Sequence, residues 1–144
     1  MPTTVHQSAS VQQTEAIAAE LARQFIGGEI IALEGDLGAG KTQFVRGLVK
    51  GLNGEGRSVS SPTYVLLNVY EGGRLTVYHL DAYRVGGPED FEAIGFAELL
   101  EQGGVIAVEW PQRIEAILPE KRITVRIRAT NVSARRIEID TPAA

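Results

Sequence analysis

Apolar positions change their period several times along the chain. Thr14, Ile17, Ala18, Leu21 and Phe25 share one face at helical spacing. Ser10 with Gln13 three residues on makes a capping-box start for that helix, and Gly27-Gly28 ends it. Residues 29–34, four apolar residues between Glu29 and Glu34, read as a buried strand. Phe44, Val45, Leu48, Val49 and Leu52 then return to helical spacing. Asn53-Gly54-Glu55-Gly56 breaks the chain, and a serine-rich polar loop follows over 57–62. Residues 63–70 and 75–80 are β-rich runs joined by Glu71-Gly72-Gly73-Arg74, a hairpin signal. Pro88-Glu89-Asp90 suits the start of a helix running to about Ile94, and 96–102 reads as another short helix stopped by Gly103-Gly104. Residues 105–108 are a buried strand closed by Glu109-Trp110-Pro111, after which 112–118 is predicted helical. In the tail, Ile123, Val125, Ile127 and Ala129 alternate with Thr124, Arg126, Arg128 and Thr130. Ile137 and Ile139 alternate with Arg136, Glu138 and Asp140. That is a β-hairpin with one apolar and one charged face.

Strands alternating with helices predict an α/β fold with helices on both faces of a mixed sheet. Two consecutive strands with no helix between them place an antiparallel hairpin inside that sheet, and a second hairpin closes the chain. The 144 residues suit one domain and one core, with 1–8 and 141–144 expected to fray. The absence of cysteine excludes disulfides and thiolate metal sites, and two histidines are too few for a histidine-rich one. No apolar run approaches the ~18 residues of a membrane helix. The polar first ten residues lack a signal-like region, so a soluble, cytoplasmic protein with no membrane contact is expected. A net charge of −4 argues against a broad nucleic-acid-binding surface.

Candidate chemistry centres on Gly35-Asp36-Leu37-Gly38-Ala39-Gly40-Lys41-Thr42, which fits G-x-x-x-x-G-K-[ST] between a predicted strand and a predicted helix. Glycines let the backbone turn its N–H groups inward as an anion nest, and the helix start adds its unpaired N–H groups and positive dipole end. Within this P-loop, Gly35, Gly38, Ala39 and Gly40 would cradle phosphate, Lys41 would reach the β- and γ-phosphates, and the Thr42 hydroxyl would ligate Mg²⁺. Four apolar residues followed by Glu109 resemble a Walker B strand whose carboxylate holds that ion, with glutamate in place of the usual aspartate. Asp81, at the end of another apolar run, is either a second metal-linked or water-orienting carboxylate or a strand-end turn residue. Thr63 is placed after a Ser-Ser-Pro turn to sense a γ-phosphate, or is a plain strand residue. Trp110 packs against a nucleotide or fills the core, the core being the default. Arg126, Arg128, Arg135 and Arg136 read as a solvated strand face before they read as an anion site.

Four segments in this order and spacing, 35–42, Ser-Pro-Thr-Tyr at 61–64, Tyr-His-Leu-Asp-Ala-Tyr-Arg at 78–84 and Val-Glu-Trp-Pro at 108–111, resemble the TsaE family, also called YjeE. The resemblance implies a bacterial P-loop NTPase, an ATPase of low intrinsic activity. It would support the TsaD and TsaB proteins in forming N6-threonylcarbamoyladenosine at position 37 of tRNAs that read ANN codons. Tied to this family, ATP and Mg²⁺ are the expected cofactors, and tRNA is met through the complex. The resemblance makes Glu109 the magnesium-associated glutamate, Asp81 the catalytic carboxylate, Thr63 the switch threonine and Thr14 a neighbour of the nucleotide base. A basic residue of the last hairpin approaches the nucleotide, with Arg135 the candidate and Arg136 one step away. Arg84 is placed to complete the site in cis, unless a partner does so. The rival activity is a small P-loop kinase using Asp81 as base. A GTP switch lacks its Asn-Lys-x-Asp segment here.

Overall fold

The computed structural model describes residues 2–36, 38–54, 67–82, 89 and 95–142. The expected helix at 88–94, Arg84 and Thr63 therefore lie outside the described residues, Glu89 apart. Among the described residues, seven strands form one sheet: β1 (Thr3–Ser8), β2 (Ile30–Glu34), β3 (Leu67–Tyr70), β4 (Val77–Asp81), β5 (Val105–Glu109), β6 (Ile123–Ala129) and β7 (Arg135–Asp140). Their order is β1-β7-β6-β2-β5-β4-β3. β2 lies parallel between β5 and β6, and β4 is parallel to β5. β3, β7 and β1 extend the sheet in antiparallel pairing. Both anticipated hairpins are present, and the sheet is mixed for the anticipated reason.

Side-chain alternation sorts the sheet into two cores. Ile31, Leu33, Val105 and Val125 meet α1 (Val11–Ala22) and α2 (Lys41–Gly51) on one face. Ile30, Leu80, Ile106 and Val108 meet α3 (Phe96–Glu101) and a 3-10 helix (Pro111–Ile117) on the other. The predicted helix after Pro111 is thus a 3-10 segment. It breaks at Ile114 (φ −129°), whose side chain is fully buried in the second core.

α1 and α2 touch almost backbone to backbone. A Cβ on Gly51 would come within 2.5 Å of the Ala19 carbonyl, and one on Gly47 within 2.7 Å of the Ala18 Cβ. The start of α1 differs from a full capping box. Ser10 accepts from the Gln13 amide, but the Gln13 side chain accepts from Ala9 N–H, one residue before the cap. At its other end Arg74, in the β3–β4 turn, donates to the carbonyls of Ala22, Arg23 and Phe25. A cation there satisfies orphan carbonyls and meets the negative end of the dipole.

The N-terminal residues do not fray as expected. Residues 3–8 form β1, in register with β7 from Thr3↔Asp140 to Ser8↔Arg135. Thr3 donates to the Asp140 carboxylate at 2.6 Å, and Ser8 is buried with its hydroxyl 2.7 Å from that of Thr14. Thr141 is tied as well, its N–H donating to the Pro2 carbonyl. Edge pairing holds a strand whose own sequence is too polar to announce itself.

Candidate active site

Three parallel strands end side by side here. β2 runs into the P-loop, β5 ends at Glu109 and β4 ends at Asp81. The registers pair Leu33 with Glu109 and Asp81 with Glu109. The carboxyl ends of parallel strands are where open α/β sheets bind ligands. Gly40, the residue before α2, has φ of 112°, a conformation that strains any residue with a Cβ. Gly35 is needed for space, since a Cβ there would lie 2.6 Å from the Ile127 carbonyl. Lys41 opens α2 and Thr42 follows it, half-buried.

Lys41 is buried, with its side chain only 4% exposed. Its Nζ donates to the Gly35 carbonyl at 2.7 Å and lies 3.9 Å from Glu109 Oε1. It also sits 3.9 Å from the centroid of the Trp110 ring, in cation–π range. Burial pushes the ammonium below the ordinary lysine pKa, against the opposing pull of Glu109, Asp81 and Asp36. Trp110 does border the second core, as the default reading had it, yet its ring also faces Lys41. Its backbone takes the left-handed conformation (φ 58°, ψ 52°), uncommon for a bulky residue and typical of functional sites.

Glu109 and Asp81 are both buried at the sheet's end. Glu109 Oε2 lies 2.6 Å from Nε2 of His79, which is completely buried. Thr42, Glu109 and Asp81 offer only oxygen donors, the set a hard cation takes. Mg²⁺ characteristically uses one or two protein carboxylates and fills its shell with water and phosphate oxygens. Among the described residues no group of three His, Cys, Asp or Glu side chains is placed to hold a metal ion.

Arg135 and Arg136 separate cleanly. Arg135 donates through Nε to the Ala39 carbonyl at 2.8 Å and through a terminal nitrogen to the Gly38 carbonyl at 3.4 Å. Arg136 turns to the opposite face and pairs with Glu138. Arg126 is held there too, by Asp140, Glu138 and Glu34. The hydrogen bond to Asp140 raises the Arg126 pKa, and bonds from Thr3 and Arg126 lower that of Asp140.

Three cavities border the P-loop, and one of about 400 Å³ is lined by Gly35, Asp36, Trp110 and Pro111. The larger of the other two, of about 410 Å³, is lined by Asp36, Arg126, Arg128 and Glu138. The smaller, of about 250 Å³, is lined by Val11, Thr14, Gly40, Val132 and Arg135. Thr14 and Arg135, more than a hundred residues apart in sequence, are brought to one cavity beside the glycines. Lys41 meets Glu109 at the ends of the parallel strands, with Asp81 beside Glu109 in register. Sequence reasoning missed His79, although it shares strand parity with Asp81 and therefore faces the same way.

A strand–loop–helix with the P-loop sequence, a buried lysine and two buried carboxylates at the ends of the parallel strands β5 and β4 define a P-loop NTPase fold. Comparison with known proteins narrows this. Residues 8–137 match the model of the family described as "Threonylcarbamoyl adenosine biosynthesis protein TsaE". A Treponema pallidum (strain Nichols) tRNA threonylcarbamoyladenosine biosynthesis protein TsaE is 41% identical over 132 residues, covering 92% of this chain and 96% of its own. The Bacillus subtilis (strain 168) protein of the same name is 40% identical over 126 residues, covering 88% and 78%. A crystal structure of Bacillus subtilis YdiB superposes with a TM-score of 0.78 at 31% identity, covering 96% of this chain and 84% of that one. The chain belongs to the TsaE family.

No helix among the described residues is long and apolar enough to cross a membrane.

Proposed function

We propose that this chain hydrolyses ATP with Mg²⁺. We propose further that hydrolysis supports TsaD and TsaB in forming N6-threonylcarbamoyladenosine at position 37 of tRNAs reading ANN codons, with tRNA met through that complex. The family and the printed names of its relatives support the pathway. The observation that carries the chemistry is Lys41, buried at the start of α2 and facing Glu109 across the ends of β2 and β5. When bound, the metal neutralises charge on the β- and γ-phosphate oxygens.

The chain's own residues do the rest. Backbone N–H groups of Gly38 to Thr42 receive the phosphates, and Lys41 exchanges its bond to the Gly35 carbonyl for phosphate oxygens. Thr42 and Glu109 hold the ion, and Asp81 orients the attacking water. Thr63 senses the γ-phosphate. The smaller cavity takes the base. Val11 and Val132 supply apolar walls and Thr14 and Arg135 polar ones, a mixture suited to a flat heteroaromatic ring. The larger cavity, walled by the charged side chains of Asp36, Arg126, Arg128 and Glu138, does not suit a base.

Phosphate release from ATP, measured with and without TsaD and TsaB and alongside the threonylcarbamoyladenosine content of added tRNA, tests the proposal. A rise in both when the partners are present is expected. Phosphate transferred to a small acceptor instead, or fast turnover indifferent to the partners, contradicts it.

A further inference from the structure

Among the described residues, His79 is the one buried side chain with a polar atom left unpartnered. Its Nδ1 has no hydrogen bond, while its Nε2 meets Glu109 Oε2 at 2.6 Å. An imidazole buried to 0% exposure with half its polarity unsatisfied is a poor core filler. The surroundings make an aliphatic side chain the simpler choice. Val77 precedes it on the same face of β4, the Tyr70 ring lies 6.3 Å away, and its register neighbour on β5 is Ala107, a bare methyl. Ala107 leaves room for the ring to lean toward the strand end and reach Glu109.

We propose that His79 is a positioning residue. By donating Nε2–H to Oε2 it fixes the Glu109 carboxylate and leaves Oε1 turned to Lys41 and the P-loop. A bond to a carboxylate oxygen requires the proton on Nε2, so the imidazole is the donor. Register places Asp81 two residues on in β4 and directly beside Glu109 in β5. One strand thus supplies both the second carboxylate and the group that holds the first. The proposal rests on Glu109 being a metal-holding residue.

The test is Mn²⁺ binding to the full chain saturated with ADP, read by electron paramagnetic resonance, with folding checked by circular dichroism. In His79→Leu the Mn²⁺ Kd rises about 10–100-fold, the usual effect of losing a partner that orients a metal ligand. His79→Gln, whose side-chain amide carries an N–H to nearly the same place, keeps the affinity within about threefold, well short of that loss. The ADP Kd without metal stays unchanged in both. Folded His79→Leu with wild-type Mn²⁺ affinity, or equal impairment in the Leu and Gln variants, overturns the proposal. Should His79→Leu not fold, His79→Asn, too short to reach Glu109, carries the same expectation, and wild-type affinity there overturns it. If the wild-type chain itself fails to bind Mn²⁺ beside ADP, the metal reading of Glu109 falls, and this proposal with it.

Discussion

Replacing Lys41 by Met separates what the lysine does for binding from what it does for the fold. In the structure its ammonium is 3.9 Å from Glu109 Oε1, and both side chains are buried. At an effective dielectric near 20 that attraction is about 4 kcal/mol. Removing a charge from water costs several kcal/mol, so the two terms nearly cancel. The direction of the Lys41 pKa, below its ordinary value, says that desolvation is the larger. Lys41→Met should therefore change stability by no more than about 1 kcal/mol, or about 2–4 °C in Tm for a chain near this size.

The pH dependence has a definite sign. A lysine with a lowered pKa binds its proton more weakly in the folded state, so the unfolded chain holds more protons in the window just below pH 10.5. Stability of the wild type relative to Lys41→Met must rise with pH through that window. Nucleotide binding behaves oppositely. Loss of the cation proposed to meet the phosphates should weaken ATP by at least about 100-fold, or about 2.7 kcal/mol. Urea unfolding across alkaline pH, without nucleotide or metal, and equilibrium ATP binding are the two assays. A variant destabilised by more than about 3 kcal/mol, the size of loss seen when a buried pair is broken, would refute the reasoning. So would one that binds ATP normally.

Other perturbations follow from the same geometry. Glu109→Gln and Asp81→Asn should fold normally by circular dichroism yet hydrolyse Mg·ATP at least about 10-fold more slowly, and wild-type rates in both would remove their assigned roles. Arg135→Ala takes away the donors that brace the Ala39 and Gly38 carbonyls. It should weaken ATP binding about 5–30-fold, or about 1–2 kcal/mol, while Arg136→Ala leaves binding unchanged. Gly47→Ala inserts a methyl where the Ala18 Cβ would stand 2.7 Å away. Overpacking of about 1–3 kcal/mol, partly offset by better helix propensity, should lower Tm in thermal melts, and a raised Tm would contradict the close packing of α1 on α2.

How much of this was legible before the structure depends on the range of each signal. The P-loop with its strand and helix is contiguous, so its pattern carried its own context. Glu109 and Asp81 were legible for the same reason, each closing an apolar run at the place where a strand must end. β1 was not, because Thr3–Ser8 is polar and is held by β7, more than a hundred residues later. The bond between His79 and Glu109 was hidden by strand order. Nothing in the sequence says that β4 lies next to β5, although parity does place His79 on the face of Asp81. Arg135 and Arg136 were left open although the same parity separates them. Arg135 alternates with the buried Ile137 and Ile139, and Arg136 falls with the outward Glu138 and Asp140. The break at Ile114 depends on what that side chain packs against, which local propensity does not encode.

Amide chemical shifts of Gly38, Ala39, Gly40, Lys41 and Thr42 during a Mg·ATP titration test most directly whether this loop wraps a triphosphate. These five amides should move together and saturate, with the largest changes in the molecule. Saturable ATP binding that leaves all five in place while shifting amides elsewhere would contradict it.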